Sequence, residues 1–413
     1  VSEFVSRPLE ARTTTRRAAR VQSQNRLMSL DALRGFDMFW IAGGGLVVGA
    51  LDKTKPTPLS TLLKTQLSHV AWEGFRFYDL IFPLFVFLVG VSIALAVPRS
   101  VAKKGRAQTV VHILTRGVLL YVIGLIYSGG LADGWGQIRW LGVLNRIAIC
   151  YTVTALLFTF LSLRWLVPLA VAGLLGYWAV LAWVPIRDIR MDAASLAKLA
   201  EQKGETNVVT LYQNTRDRIR GQYEPGYNVA NHLDFKYLPG RLYDTYWDPE
   251  GILSTLPAIV SCLLGLFAGS WLLNGRVAPE LRSLWLVVAG FLLMSVGYLW
   301  GFQFPIIKKI WTSSYVLVAG GYSLILLGAF YHVVDIWGWR LWCQPFVWIG
   351  ANALTIYLVA RFINFGRLAE RIAGGPIKLS LGRMGDLVVA LLAVLLLVGF
   401  ARFLYKRQIF LRL

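Results

Sequence analysis

Cysteine and histidine are scarce in this 413-residue chain, with three of the first and four of the second. Cys150, Cys262 and Cys343 fall in or beside apolar runs, at no spacing that suits a disulfide framework or a metal cage. They read as small packed hydrophobes. No serine nucleophile elbow and no phosphate-binding P-loop appears, and no internal repeat is visible. The first two dozen or so residues are polar and Arg-rich, without the apolar core of a signal peptide. Charge is also scarce, at 15% of residues, and it is one-sided: 42 Lys and Arg against 22 Asp and Glu, a formal net charge of +20. Such an excess can mark a nucleic-acid binder, but here the basic residues follow a membrane pattern instead of gathering on one face. Nucleic acid is therefore not an expected partner.

Apolar residues are abundant, at 56%, with a mean hydropathy of +0.56. They gather into runs at 31–50, 75–97, 109–128, 140–163, 166–185, 251–273, 283–303, 315–335, 345–364 and 385–405. Each is close to the ~20 residues needed to cross a hydrocarbon core. The expected fold is all-α, a polytopic membrane bundle of about ten helices with membrane lipid around it. Arg7, Arg12, Arg16, Arg17, Arg20 and Arg26 precede the first run, Arg99, Lys103, Lys104 and Arg106 follow the second, and Lys406, Arg407 and Arg412 end the chain. The positive-inside rule places all three groups in the cytoplasm, and an even number of crossings agrees. Residues 1–26 read as a cytoplasmic basic tail without fixed structure, and 27–413 as one transmembrane domain.

The same alternation exports residues 51–70, 186–250 and 366–385. The long segment 186–250 is charge-balanced, with nine Lys and Arg against ten Asp and Glu. It carries Tyr212, Tyr223, Tyr227, Phe235, Tyr237, Tyr243, Tyr246 and Trp247 among Asn, Asp and Arg. Rings beside planar hydrogen-bonding groups suit a sugar; an interfacial aromatic belt accounts for them equally well. A loop this long points to a lid or vestibule, with a short helix expected around 191–202 from the spacing of Leu196 and Leu199.

Ionisable residues inside a span usually serve a function, and two groups stand out. The first run opens Ser29-Leu30-Asp31-Ala32-Leu33-Arg34-Gly35-Phe36-Asp37. Ser29 or Asp31 is placed to cap it, and Asp31, Arg34 and Asp37 share a face. That face is either an internal ion-paired stripe or a hold for an anionic cofactor through Arg34. Gly43-Gly44-Gly45 near the far end permits close helix approach. The second group is His69 with Asp79, ten residues on. In one straight helix they would stand ~15 Å apart, so a direct pair requires a turn or loop around Trp72 to Gly74. Glu73 lies between them, while Asn145, Arg146 and Asn352 are further polar groups expected to face a cavity. An imidazole oriented by a carboxylate is the general-base arrangement for acyl transfer; imidazole as a transient acyl carrier is the other route.

Taken in order, Arg26-Leu27-Met28-Ser29-Leu30-Asp31-Ala32-Leu33-Arg34-Gly35, the block from His69 to Gly90, Gly142-Val143-Leu144-Asn145-Arg146-Ile147, Asp248-Pro249-Glu250-Gly251-Ile252-Leu253-Ser254-Thr255-Leu256-Pro257 and Trp311-Thr312-Ser313-Ser314-Tyr315-Val316 resemble the transmembrane heparan-alpha-glucosaminide N-acetyltransferase family and its bacterial members. The resemblance implies transfer of acetyl from cytoplasmic acetyl-CoA to the amino group of an amino sugar across the membrane, with His69 and Asp79 catalytic and no metal. The basic inner residues Arg34, Arg99 and Lys103 suit the phosphates of CoA, and with Arg146 they are the expected cofactor residues. Trp72, Glu73, Asn352, Asp248 and Glu250 are assigned to the amino-sugar substrate. A bacterial inner-membrane protein with both termini cytoplasmic is implied, and a homodimer is compatible with it. One departure stands out: the lysosomal members carry an Asn before the glycines of the first helix, where this chain has Ile41-Ala42. A secondary transporter for a sugar or organic anion and a membrane sugar O-acyltransferase are the alternative readings.

Overall fold

The computed structural model describes residues 27–51, 53 and 57–411, so the expected tail at 1–26 and Arg412 lie outside the described residues. The chain is helical nearly throughout. Helix α1, Met28–Phe39, continues through a π-helical turn, Trp40–Gly44, into α2, Gly45–Leu51, and α3 follows at Pro58–Gln66. Four long helices come next: α4, Phe77–Lys104; α5, Arg106–Tyr127; α6, Val143–Phe160; and α7, Leu163–Trp183. The segment after α7 folds into α8, Ala193–Lys203, α9, Val208–Asn214, and α10, Val229–Tyr237, with β1, Ile186–Arg187, paired antiparallel to β2, Arg218–Ile219. Three more long helices are α11, Thr255–Leu272, α12, Pro279–Gly301, and α13, Ser313–Phe330, the last prolonged by a π-helical stretch Tyr331–Ile336. The chain closes with α14, Gln344–Gly350, α15, Ala353–Phe362, α16, Phe365–Ala373, α17, Pro376–Ser380, and α18, Gly385–Lys406.

Among the described residues eight helices are long and apolar enough to cross a membrane, and α14 with α15 forms a ninth candidate bent by 79° at its break. This is the expected all-α multi-pass membrane bundle. The expected first run is present as the α1–α2 helix but is not one of the eight, since Asp31, Arg34 and Asp37 dilute its apolar character. Ser29 and Asp31 do not cap it. The carboxylate of Asp335, far along the chain, accepts from the N–H of Met28 and of Ser29 at 3.2 Å each. Asp31 pairs with Arg34 at 3.4 Å as the shared face implied, whereas both carboxyl oxygens of Asp37 are buried without a hydrogen-bond partner. The short helix expected around 191–202 is α8, capped by Asp192.

Helix α4 is central. It packs against α11, α6, α13, α5 and α1, and its buried face from Leu80 to Val97 contributes Leu84, Phe87, Leu88 and Val91 to the main core. Small residues set the tightest crossings. A Cβ on Gly35 of α1 would lie 1.7 Å from the Phe346 carbonyl oxygen, and one on Gly350 would lie 1.9 Å from that of Asp31. Glycine at both positions lets the α14 backbone lie directly on α1, which fixes the break between α14 and α15 beside Arg34.

Candidate active site

The loop from Leu67 to Arg76 joins α3 to α4 and folds His69 back over the start of α4, the turn that the ten-residue spacing demanded. Asp79 sits in the first turn of α4, where it caps the helix by accepting from the N–H of Arg76 at 3.2 Å. The same oxygen accepts from the N–H of Val70 at 3.3 Å, and the other lies 2.8 Å from His69 Nδ1. The Asp79 side chain is 2% exposed, against 53% for His69. One carboxylate thus closes the loop and grips an imidazole that remains open to a ligand. In the tautomer whose Nδ1–H donates to Asp79, the Nε2 lone pair is the free basic site.

A third residue completes the group. Lys308 places Nζ 3.0 Å from His69 Nδ1 and 3.5 Å from Asp79 Oδ1. It lies in the loop between α12 and α13, which docks on the histidine loop through the Gly74 N–H donating to the Ile306 carbonyl at 2.9 Å and a backbone bridge between Glu73 and Ile307. Burial lowers the Lys308 ammonium from its ordinary range, while the Asp79 carboxylate opposes that shift. The loop is held in turn by Trp311, buried at a left-handed φ of 53° that a non-glycine residue rarely adopts. Its indole N–H donates to Ser261 Oγ at 3.0 Å, and the Arg146 guanidinium lies over its ring at 5.0 Å. Such backbone costs of the order of 1–3 kcal/mol and persists only where packing imposes it. Lys308 escaped the sequence reading. In the sequence it is one of a Lys308-Lys309 pair between two apolar stretches just ahead of the Trp311 block, which marks a charged loop but not its contact with His69.

The residues assigned to the sugar divide. Trp72 stands in the histidine loop, its indole N–H donating to the Tyr223 carbonyl at 2.8 Å and its ring edge-on to Trp247 at 5.6 Å. Glu73 is exposed beside it. Asp248 and Glu250 are instead engaged by Arg139: Nε and Nη2 reach Asp248 at 2.8 and 2.7 Å, and Nη2 reaches Glu250 at 2.6 Å. That brace ties the end of the long segment to the chain between α5 and α6. Asp234 supports the same turn by accepting from the N–H of Ile252 at 2.9 Å, and burial lifts its carboxyl to about 7. Nearby, burial lowers His232 to about 4.

The residues assigned to the cofactor also divide. A cavity of about 570 Å³, within the usual size range of ligand sites, opens along α4 from Phe85 to Lys104 and is lined by Arg34, Arg99, Lys103, Lys104, His112 and Arg116. Arg34 is held there by donating to Ser92 Oγ at 2.8 Å. Asn352, assigned to the sugar from sequence, lines this cavity instead. Arg146 is elsewhere, fully buried and donating to the Pro249 carbonyl at 3.0 Å and to Ser254 Oγ. The cavity and the histidine thus belong to opposite ends of α4. Phe85 is six residues from Asp79, about 9 Å along the helix.

Comparison with known proteins agrees with the sequence blocks. Residues 26–198 match the family model for heparan-alpha-glucosaminide N-acetyltransferase, catalytic, a stretch that includes His69, Asp79, Arg34, Arg99, Lys103 and Arg146 but not Lys308. The chain is 30% identical over 330 residues to the human heparan-alpha-glucosaminide N-acetyltransferase, covering 70% of this chain and 48% of that protein. It is 27% identical over 434 residues to the mouse protein of the same name, covering 95% of this chain and 61% of that one. The chain therefore spans roughly half to three fifths of the length of these relatives. It is related to the heparan-alpha-glucosaminide N-acetyltransferases.

Proposed function

We propose that this relative of the heparan-alpha-glucosaminide N-acetyltransferases moves an acetyl group from acetyl-CoA to the amino group of a glucosamine-type sugar, with the two substrates on opposite faces of the membrane. One observation carries the reading. A single helix, α4, presents a basic cavity at one end and an imidazole–carboxylate–ammonium group at the other. Arg99, Lys103 and Lys104 suit the phosphates of CoA. The cavity runs up α4 to within about two turns of Asp79, so an extended thioester arm has only the last part of the way to cover.

In the proposed reaction the sugar amine attacks the thioester carbonyl carbon as His69 Nε2 removes its proton; the C–S bond breaks, and the proton passes to the departing thiolate. The products are the N-acetyl sugar and CoA. Asp79 holds the ring by Nδ1 and balances the imidazolium while it exists, and Lys308 balances Asp79 between turnovers. Trp72 and Glu73 stand at the mouth where a sugar would stack and bond. A secondary transporter would share the multi-pass bundle, the buried charged residues and the bent α14–α15 pair.

The test is a transfer assay on purified protein with acetyl-CoA and glucosamine, reading CoA thiol release and N-acetylglucosamine together. Matched release of both is expected. Uptake of sugar by sealed vesicles with no thiol released would replace this reading with the transporter.

A further inference from the structure

The break between α14 and α15 leaves one side chain without an internal role. Asn352 is 3% exposed and lines the basic cavity, yet both its side-chain Nδ2 and its Oδ1 lack any hydrogen-bond partner. Its main chain is fully used: the N–H donates to the Ile349 carbonyl at 3.0 Å and its carbonyl accepts from the N–H of Ile356 at 2.9 Å. A buried amide left with neither donor nor acceptor satisfied loses about 1–3 kcal/mol per group. An apolar residue would fill the same space at no such cost, so the amide is better explained by a ligand than by the fold.

The position is also mechanically fixed. Gly35 and Gly350 press α14 onto α1, and the helix restarts at Ala353 after a 79° bend. Asn352 therefore holds an amide NH₂ donor and a carbonyl acceptor, side by side and unpaired, in the wall of the cavity that Arg34 also lines; both atoms are closed to solvent, so a ligand reaches them when the side chain turns into the opening. Phosphates do not need an acceptor, and a plain alkyl thioester has no donor. A secondary amide has both.

We propose that Asn352 is a positioning residue that clamps a secondary amide of the donor's pantetheine arm, accepting from its N–H and donating to its carbonyl. The inference rests on the cavity being the donor site. It makes the cavity selective for the arm as well as for the phosphates.

The test measures binding of two probes to the full chain: coenzyme A, and adenosine 3′-phosphate 5′-diphosphate, which keeps the phosphates and lacks the arm. Asn352→Leu removes both hydrogen bonds at similar volume, and Asn352→Asp keeps only the acceptor. Asn352→Leu is expected to weaken coenzyme A by about five- to thirtyfold, the factor for one to two kcal/mol, with the armless probe unchanged; Asn352→Asp, which adds a negative charge beside the cations, should weaken both probes and coenzyme A the more. Unchanged affinity for coenzyme A in Asn352→Leu would overturn the proposal. So would parallel losses of both probes in the two variants, which would assign Asn352 to the shape of the break. Wild-type protein that binds neither probe would remove the donor reading itself, an outcome distinct from the failure of Asn352 alone.

Discussion

The two ends of α4 are built on opposite plans. At the histidine end the carboxylate of Asp79 takes contacts from His69, Lys308, Val70 and Arg76. At the cavity end, cations stand around an open volume, and the amide of Asn352 has no internal partner. A closed network fixes geometry before any ligand arrives, as chemistry requires. An open one keeps its hydrogen-bonding capacity for a ligand. The contrast teaches that changes at one end should alter turnover, and changes at the other should alter donor affinity.

The largest effect is expected at His69. Replacing it by Ala should lower kcat by about 10²- to 10⁴-fold while coenzyme A binds as before, as read by single-turnover rates alongside titration. Near-normal turnover in a folded variant would erase the division of labour. Asp79→Asn should cost about ten- to a hundredfold in kcat, the value of a hydrogen bond to a charged group, with little change in donor affinity. A collapse of binding with the saturated rate intact would instead move Asp79 into a structural network.

At the other end, Arg99→Glu with Lys103→Glu should raise the KM for acetyl-CoA by about three- to tenfold at low salt, since exposed charge pairs are individually weak. The effect should fade in high salt and leave kcat alone. A fall in kcat would blur the comparison.

Much of this contrast can be read from the sequence and some cannot. The spans follow from apolar runs, and the His69–Asp79 pair follows from a carboxylate that needed a partner plus a Gly74 that lets the loop turn. Lys308 could not be placed that way, because it reaches the site through a loop docked by backbone bonds between Gly74 and Ile306, and backbone pairing leaves no trace in side-chain pattern. Asn352 reads from sequence as a sugar ligand because a polar residue in a span signals a cavity without saying which one. The side was decided by the glycine crossing at Gly35 and Gly350. Asp335 capping α1 from another helix is hidden for the same reason: capping rules are local, and this cap is not.

The smallest effect concerns the outer segment that touches the histidine loop through Trp247 and Trp72. Asp234, raised by burial to about 7, binds a proton when folded that it has lost when open, so it makes the segment less stable as pH rises from about 4 to about 7. His232, lowered by burial to about 4, does the reverse between about 4 and 6.5. Hydrogen exchange across residues 228–252 should therefore vary little with pH over that window in the wild type, after correction for intrinsic rates. Asp234→Asn should make protection rise with pH, and His232→Asn should make it fall. Matching pH profiles in all three proteins would show that neither group titrates with opening.

Transfer across the membrane is measured directly in sealed vesicles in which acetyl-CoA is confined to one side and glucosamine to the other. Orientation is read by an impermeant maleimide on Arg106→Cys, since the three native cysteines are buried. N-acetylglucosamine is expected only when acetyl-CoA is on the face that carries residue 106, at the cavity end of α4. Product that forms only when both substrates share a face would contradict transfer across the membrane.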